Sequence, residues 1–159
     1  MLAAPCRRHR SMDADTDDFR YYLRVRYAEC DAQKVVFNAR YGDYVELAAT
    51  EFMRALGFGA ELANAEIDYQ LVKQTLEWKA PARFDDVLEL RVRALRLGNT
   101  SFTMSVGFRR DGDETLLASA ETIYVLVDQQ LRKRPLPEGF RTALQRGAPG
   151  RSMDHAGRG

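Results

Sequence analysis

The feature that most constrains the fold is a change of period that occurs once. Residues 42–56 (GDYVELAATEFMRAL) place Val45, Ala48, Ala49, Phe52, Met53 and Leu56 on one face at helical spacing, and Gly57 and Gly59 supply a stop. The spacing predicts one long helix, apolar enough to need cover along most of its length. The other ordered stretches have the two-residue period of strands. In residues 20–27 (RYYLRVRY), Tyr21, Leu23, Val25 and Tyr27 oppose Arg20, Tyr22, Arg24 and Arg26. Residues 67–79 form a long extended run that ends at Pro81. Residues 86–97 and 101–110 alternate, with turns at Gly98-Asn99 and Asp111-Gly112. Residues 115–127 (TLLASAETIYVLV) are apolar on both faces, which predicts a central or doubly covered strand. Pro135 and Pro137 end it, and residues 138–145 read as a short terminal helix.

The order is therefore strand, helix, then four strands joined mostly by hairpins. That predicts an α+β architecture, an antiparallel sheet of about five strands wrapped around the long helix. The 159 residues suit one domain. Residues 1–18 and 146–159 are polar and without period, so both read as disordered tails around a domain at 19–145.

Composition narrows the chemistry. Net charge is +1, which does not suggest a generally basic nucleic-acid surface. Apolar runs fall short of the roughly 20 residues that cross a bilayer. Arg7, Arg8 and Arg10 are followed by the acidic run Asp13 to Asp18 rather than an apolar signal core, so the expected location is cytoplasmic. Cys6 and Cys30 make neither a disulfide framework nor a metal cluster. The two histidines, His9 and His155, lie in polar segments near the ends. A folded body without histidine points away from Ser-His, Cys-His and His-ligated metal mechanisms. Its general base is then a carboxylate or, failing that, a lysine or tyrosine.

One stretch places such a carboxylate just before the helix: Glu29 to Tyr41, ECDAQKVVFNARY. Taken alone, Asp31 is a turn residue as readily as a catalyst, and Asn38 suits a helix N-cap. The run from Asp31 to Tyr41, followed directly by a helix, resembles the signature of hotdog-fold acyl-CoA thioesterases of the 4-hydroxybenzoyl-CoA thioesterase type. Three later segments match that family in order: Ala80-Pro81-Ala82-Arg83-Phe84-Asp85-Asp86, Leu97-Gly98-Asn99-Thr100-Ser101-Phe102, and Arg132-Lys133-Arg134-Pro135-Leu136-Pro137. The resemblance covers roughly residues 20–140.

The resemblance implies hydrolysis of a short-chain or aromatic acyl-CoA to free acid and coenzyme A. It makes Asp31 the catalytic carboxylate, as nucleophile or general base, and the backbone N–H of Asn38 the oxyanion donor. Helix N-termini present unpaired N–H groups and partial positive charge, which suits a carbonyl gaining negative charge under attack. Glu46, and less so Glu51, are rival carboxylates on the helix. Val36, Phe37, Tyr41 and Tyr44 are candidates for the acyl pocket. Arg132, Lys133, Arg134 and Arg83 are candidates for the coenzyme A phosphates. The resemblance further implies a homo-oligomer, dimer or tetramer, and no metal or prosthetic group. Close relatives often carry Gly-Gly where this chain has Gln33-Lys34, and His where it has Asn38. Three alternatives stand beside this reading: a non-catalytic acyl-CoA binder or scaffold, a thioesterase unloading an acyl carrier protein, and a hotdog dehydratase, which would normally need a body histidine.

Overall fold

A computed structural model of the chain describes residues 17–158. The helix predicted from its apolar face is α1, Arg40–Ala55. It ends in a Schellman arrangement. Gly57, at φ 97°, donates to Arg54 O, and Phe58 donates to Met53 O, each at 3.0 Å. A short helix α2, Gly59–Ala63, follows, and a terminal helix α3 spans Glu138–Arg146.

The strands are β1 (Phe19–Arg24), β2 (Asp68–Trp78), β3 (Val87–Leu97), β4 (Ser101–Arg110), β5 (Ala118–Val127) and β6 (Ser152–Asp154). They form one sheet in the order β2-β5-β4-β3-β1-β6. Every pairing is antiparallel except β1 with β6. The doubly apolar run at 115–127 becomes β5, which lies between β2 and β4 and so pairs on both edges. Register shifts at Leu71/Lys73 and Ala94/Arg96 insert an extra residue in β2 and β3, the kind of irregularity that bends a strand.

The core lies between α1 and the sheet. Val45, Ala48, Ala49, Phe52 and Met53 are fully buried, facing β1, β3 and β4 residues such as Phe19, Leu90 and Phe108. The Phe52 ring sits 5.8 Å from Phe19, and the Tyr41 ring 5.4 Å from Phe108. Phe52→Ala is expected to lower stability by about 3–5 kcal/mol, read from a chemical denaturation midpoint, because it removes a fully buried aromatic side chain and leaves a cavity in the core.

Two sequence expectations need correcting. Residues 1–16 of the expected N-terminal tail lie outside the described residues, but the expected C-terminal tail is ordered. Residues 152–154 join the sheet as β6, and His155 donates its N–H to Tyr22 O at 2.9 Å. The same strap places His155 against Tyr21, with Tyr21 Oη 2.9 Å from Nδ1. A histidine therefore does belong to the folded body. Arg158 lies over the Tyr22 ring at 3.4 Å and pairs with Asp111 and Asp154. Three residues are too few to show a period; these side-chain anchors hold the strap instead.

Candidate active site

The stretch Glu29–Tyr41 folds into a tight loop leading to α1. Asp31 accepts from the Lys34 N–H at 2.9 Å, and its own N–H donates to Val35 O at 2.9 Å. Its Oδ1 accepts the Gln33 N–H at 2.8 Å, closing an Asx turn. The loop is then stitched to the segment after β2. Val36 donates to Ala82 O at 2.8 Å, Phe84 donates to Lys34 O at 3.0 Å, and Val35 bridges Arg83.

Helix α1 starts two residues after Asn38. Its N-cap position is Ala39, and no side chain caps it. Asn38 is thus not the N-cap that its residue type suggested. It belongs to the turn before the helix, and its own N–H has no acceptor among the described residues. Beside it opens a cleft of about 250 Å³, lined by Val35, Val36, Asn38 and Tyr41 on one side and Trp78–Pro81 on the other. Tyr41 fixes the corner: its buried hydroxyl accepts the Ala82 N–H at 3.2 Å, and its ring meets Trp78 edge-on at 5.9 Å.

Of the residues singled out in the sequence, Val36, Asn38 and Tyr41 meet in this cleft. Asp31 lies at the exposed tip of the adjoining turn, outside the lining. Phe37 is 55% exposed and Tyr44 is buried in the core, so neither lines the cleft. Glu46 lies further along α1, where Tyr124 donates to its Oε1 at 2.9 Å; burial, then the Glu46 charge, push the nearby Tyr69 hydroxyl up to about 12. Glu51 is buried and bonded to Arg54. Arg83 adjoins the cleft. Arg132, Lys133 and Arg134 do not. They follow the Val127 end of β5, opposite Asp68, whereas the cleft is at the Trp78 end. Those ends are about 30 Å apart, ten strand residues at about 3.3 Å each. Lys79 escaped the sequence reading: nothing local marks it, and only the pairing of residues 82–84 with 34–36 brings it to the cleft.

Buried polar groups back the loop. Glu29 accepts from the Arg26 N–H at 2.8 Å and from its Nε at 2.9 Å. Burial alone would raise the Glu29 carboxyl; these donors outweigh it and hold the group below the usual carboxylate range. Burial first, and the Glu29 carboxylate second, push the Tyr44 hydroxyl well above its ordinary value, and it makes no well-formed hydrogen bond among the described residues. Cys30 is a free, half-buried thiol; burial, then Glu29 and Asp31, raise it. A depressed carboxyl stabilises the fold above its unfolded pKa, and that stability fades as pH falls through the folded one. Glu29→Gln is therefore expected to flatten the loss of melting temperature below about pH 4, while lowering the value at pH 7. An unchanged acid limb would show that Glu29 carries none of it.

Among the described residues no group of three or more His, Cys, Asp or Glu could hold a metal ion, and no helix is long and apolar enough to cross a membrane.

One helix laid on an antiparallel sheet, with a cleft at the helix start, defines the class as a hotdog-type α+β protein. Residues 25–144 match the model of the thioesterase-like superfamily. The chain is 36% identical over 130 residues to the acyl-CoA thioester hydrolase YbgC of Escherichia coli, covering 79% of this chain and 95% of that one. It is 29% identical over 109 residues to the acyl-CoA thioesterase YbgC of Haemophilus influenzae, covering 67% and 78%. Among solved structures, a gentisyl-coenzyme A thioesterase superimposes with a TM-score of 0.70 at 28% identity, covering 79% of this chain and 98% of that one. The chain belongs to the thioesterase-like superfamily.

Proposed function

We propose that this member of the family is an acyl-CoA thioester hydrolase that releases coenzyme A from a short-chain or aromatic acyl group. The observation that carries the reading is the uncapped start of α1. The Asn38 N–H lies at the cleft without an acceptor among the described residues, which suits a carbonyl oxygen gaining charge. Asp31 supplies the carboxylate, attacking the carbonyl carbon or taking a proton from water. Its Oδ1 is held by the Gln33 N–H, and no bond engages its Oδ2 among the described residues. Carboxylate and helix N–H suffice for this chemistry, so no metal or prosthetic group is invoked. The free Cys30 suits the reducing cytoplasm.

The working unit is at least a dimer on this reading. β2 is an edge strand of 11 residues whose outer backbone groups have no partner among the described residues, and Val72 is 56% exposed on it. Long exposed edges are rarely left open. Antiparallel pairing of β2 with a second copy, centred near Lys73, sets the Trp78 end of one copy beside the Asp68 end of the other. That brings Arg132–Arg134 of the second copy toward the cleft that they cannot reach within their own chain. The test is release of free thiol from a panel of short-chain and aromatic acyl-CoAs by the full chain. Turnover of at least one is expected; tight binding of all without turnover would favour a non-catalytic binder.

A further inference from the structure

Two buried groups behind the cleft take no part in the hydrolytic step itself. They are the Glu29 carboxylate, on a residue 7% exposed, and the Tyr44 hydroxyl, on a residue 1% exposed. Burying a carboxylate is costly unless donors hold its charge. Burial here works against the charge, and the Arg26 side chain and backbone N–H outweigh it. After Arg26, the Tyr44 hydroxyl also favours the charged form. That hydroxyl makes no well-formed hydrogen bond among the described residues, so it acts on Glu29 as an oriented dipole projecting from α1.

Both halves of the site hang from Glu29. Residues 29–31 and 35–37 run antiparallel as the two arms of a small hairpin. Phe37 donates to Glu29 O and Asp31 donates to Val35 O, each at 2.9 Å, with Cys30 bridged to Val36 between them. Asp31 lies at the turn end of one arm. Asn38 follows Phe37, the residue paired with Glu29, at the open end of the other. The offset between the carboxylate and the Asn38 N–H is therefore set by two residues of extended chain, about 3.3 Å each. The Glu29 backbone closes this hairpin, and the Glu29 side chain fixes it to its surroundings. Arg26 holds it from the preceding turn. Tyr44 meets it from α1, and the Tyr44 ring also lies 6.2 Å from that of Tyr41, the corner of the cleft.

We propose that Glu29 is a positioning residue, acting with Tyr44 to fix the spacing between the Asp31 carboxylate and the Asn38 N–H. The inference rests on the thioester hydrolase reading for the roles of those two groups. The carbon under attack must lie within reach of the carboxylate while its oxygen meets the N–H. A misplacement of about 1 Å can cost about 100-fold in rate. Charge-assisted bonds from Arg26 are short and directional, so they hold the hairpin against such drift more tightly than apolar contacts would.

The test is a set of substitutions in the full chain, read by steady-state turnover of an acyl-CoA that the wild type hydrolyses. Tyr44→Phe keeps the packing and removes only the hydroxyl. Glu29→Asp keeps the charge and shortens the side chain. On that substrate kcat is expected to fall about 10-fold in Tyr44→Phe and about 100-fold in Glu29→Asp, with KM within about 2-fold of the wild type. Glu29→Gln keeps the length and an acceptor for Arg26, and should lose less kcat than Glu29→Asp although it loses the charge. In an Asp31→Asn background, Tyr44→Phe and Glu29→Asp are expected to leave the residual turnover unchanged, because the spacing has no effect once the carboxylate is gone. Wild-type kcat in both single variants overturns the proposal. So does a loss that repeats in full in the Asp31→Asn background, or one that disappears at temperatures well below the variant's melting point. Either would make Glu29 a support for the fold alone. Full turnover in Asp31→Asn itself removes the role given to Asp31 and this inference with it, and that failure is read from a different variant.

Discussion

Asp31→Ala is expected to lower kcat by about 10²- to 10⁴-fold on any acyl-CoA the chain hydrolyses, the range that a positioned acid or base contributes. A turn residue would also be damaged by alanine, because the side chain accepts the Gln33 N–H. Asp31→Asn separates the two roles. The amide oxygen can still accept that N–H and keep the turn, but it can neither attack a carbonyl nor take a proton from water. Loss of activity in Asp31→Asn with an unchanged melting temperature identifies chemistry. Activity near wild type in both variants would move the carboxylate role elsewhere, with Glu46 next in line; its bond from Tyr124 makes Glu46→Gln the matching substitution there.

The second large effect concerns the β2 edge. Leu71→Lys with Val72→Asp places charges of both signs in the exposed apolar stretch of an edge strand, a device natural sheets use against edge pairing. Light scattering is expected to show a monomer, and turnover is expected to fall to near background, because the Arg132–Arg134 run of a second copy would leave the cleft. The fold itself should survive, since both side chains are already exposed. A monomer with full activity would show that one chain holds the whole site. A stable oligomer in the double variant would show that association uses another face.

The parts of the fold that were legible in the sequence are those with a period. The α1 face from Val45 to Phe52 and the alternation of residues 101–110 repeat often enough to mark helix and strand, and their bounds differ from the structure by two residues at most. β6 was illegible because three residues carry no period, and its place depends on His155 and Arg158 finding Tyr21 and Tyr22 over 130 residues away in sequence. The site divides in the same way. The Asp31–Tyr41 stretch is contiguous and could be seen as a unit. The opposite wall, Trp78 to Pro81, and the isolation of Arg132–Arg134 from it follow from strand pairing, which local sequence does not state. Asn38 shows the limit of a residue-type rule. Asparagine favours caps, yet here the helix starts one residue later than an Asn38 cap would place it and leaves Ala39 in that position.

The strap that lays β6 along β1 has a consequence for how copies of this chain can add to one another. An open sheet has two ends, and a molecule sticky at both ends polymerises. Here one end is already occupied by the chain's own residues 152–154, locked down by Arg158. On the proposed β2 pairing, the remaining end is an edge of only three residues that offers a further copy little to pair with, which favours closed two-fold symmetry over open helical symmetry. On that pairing the C-terminal segment acts as a chain stopper, a short covalently tethered strand that covers the long β1 edge and leaves β2 as the one long edge open to a second copy.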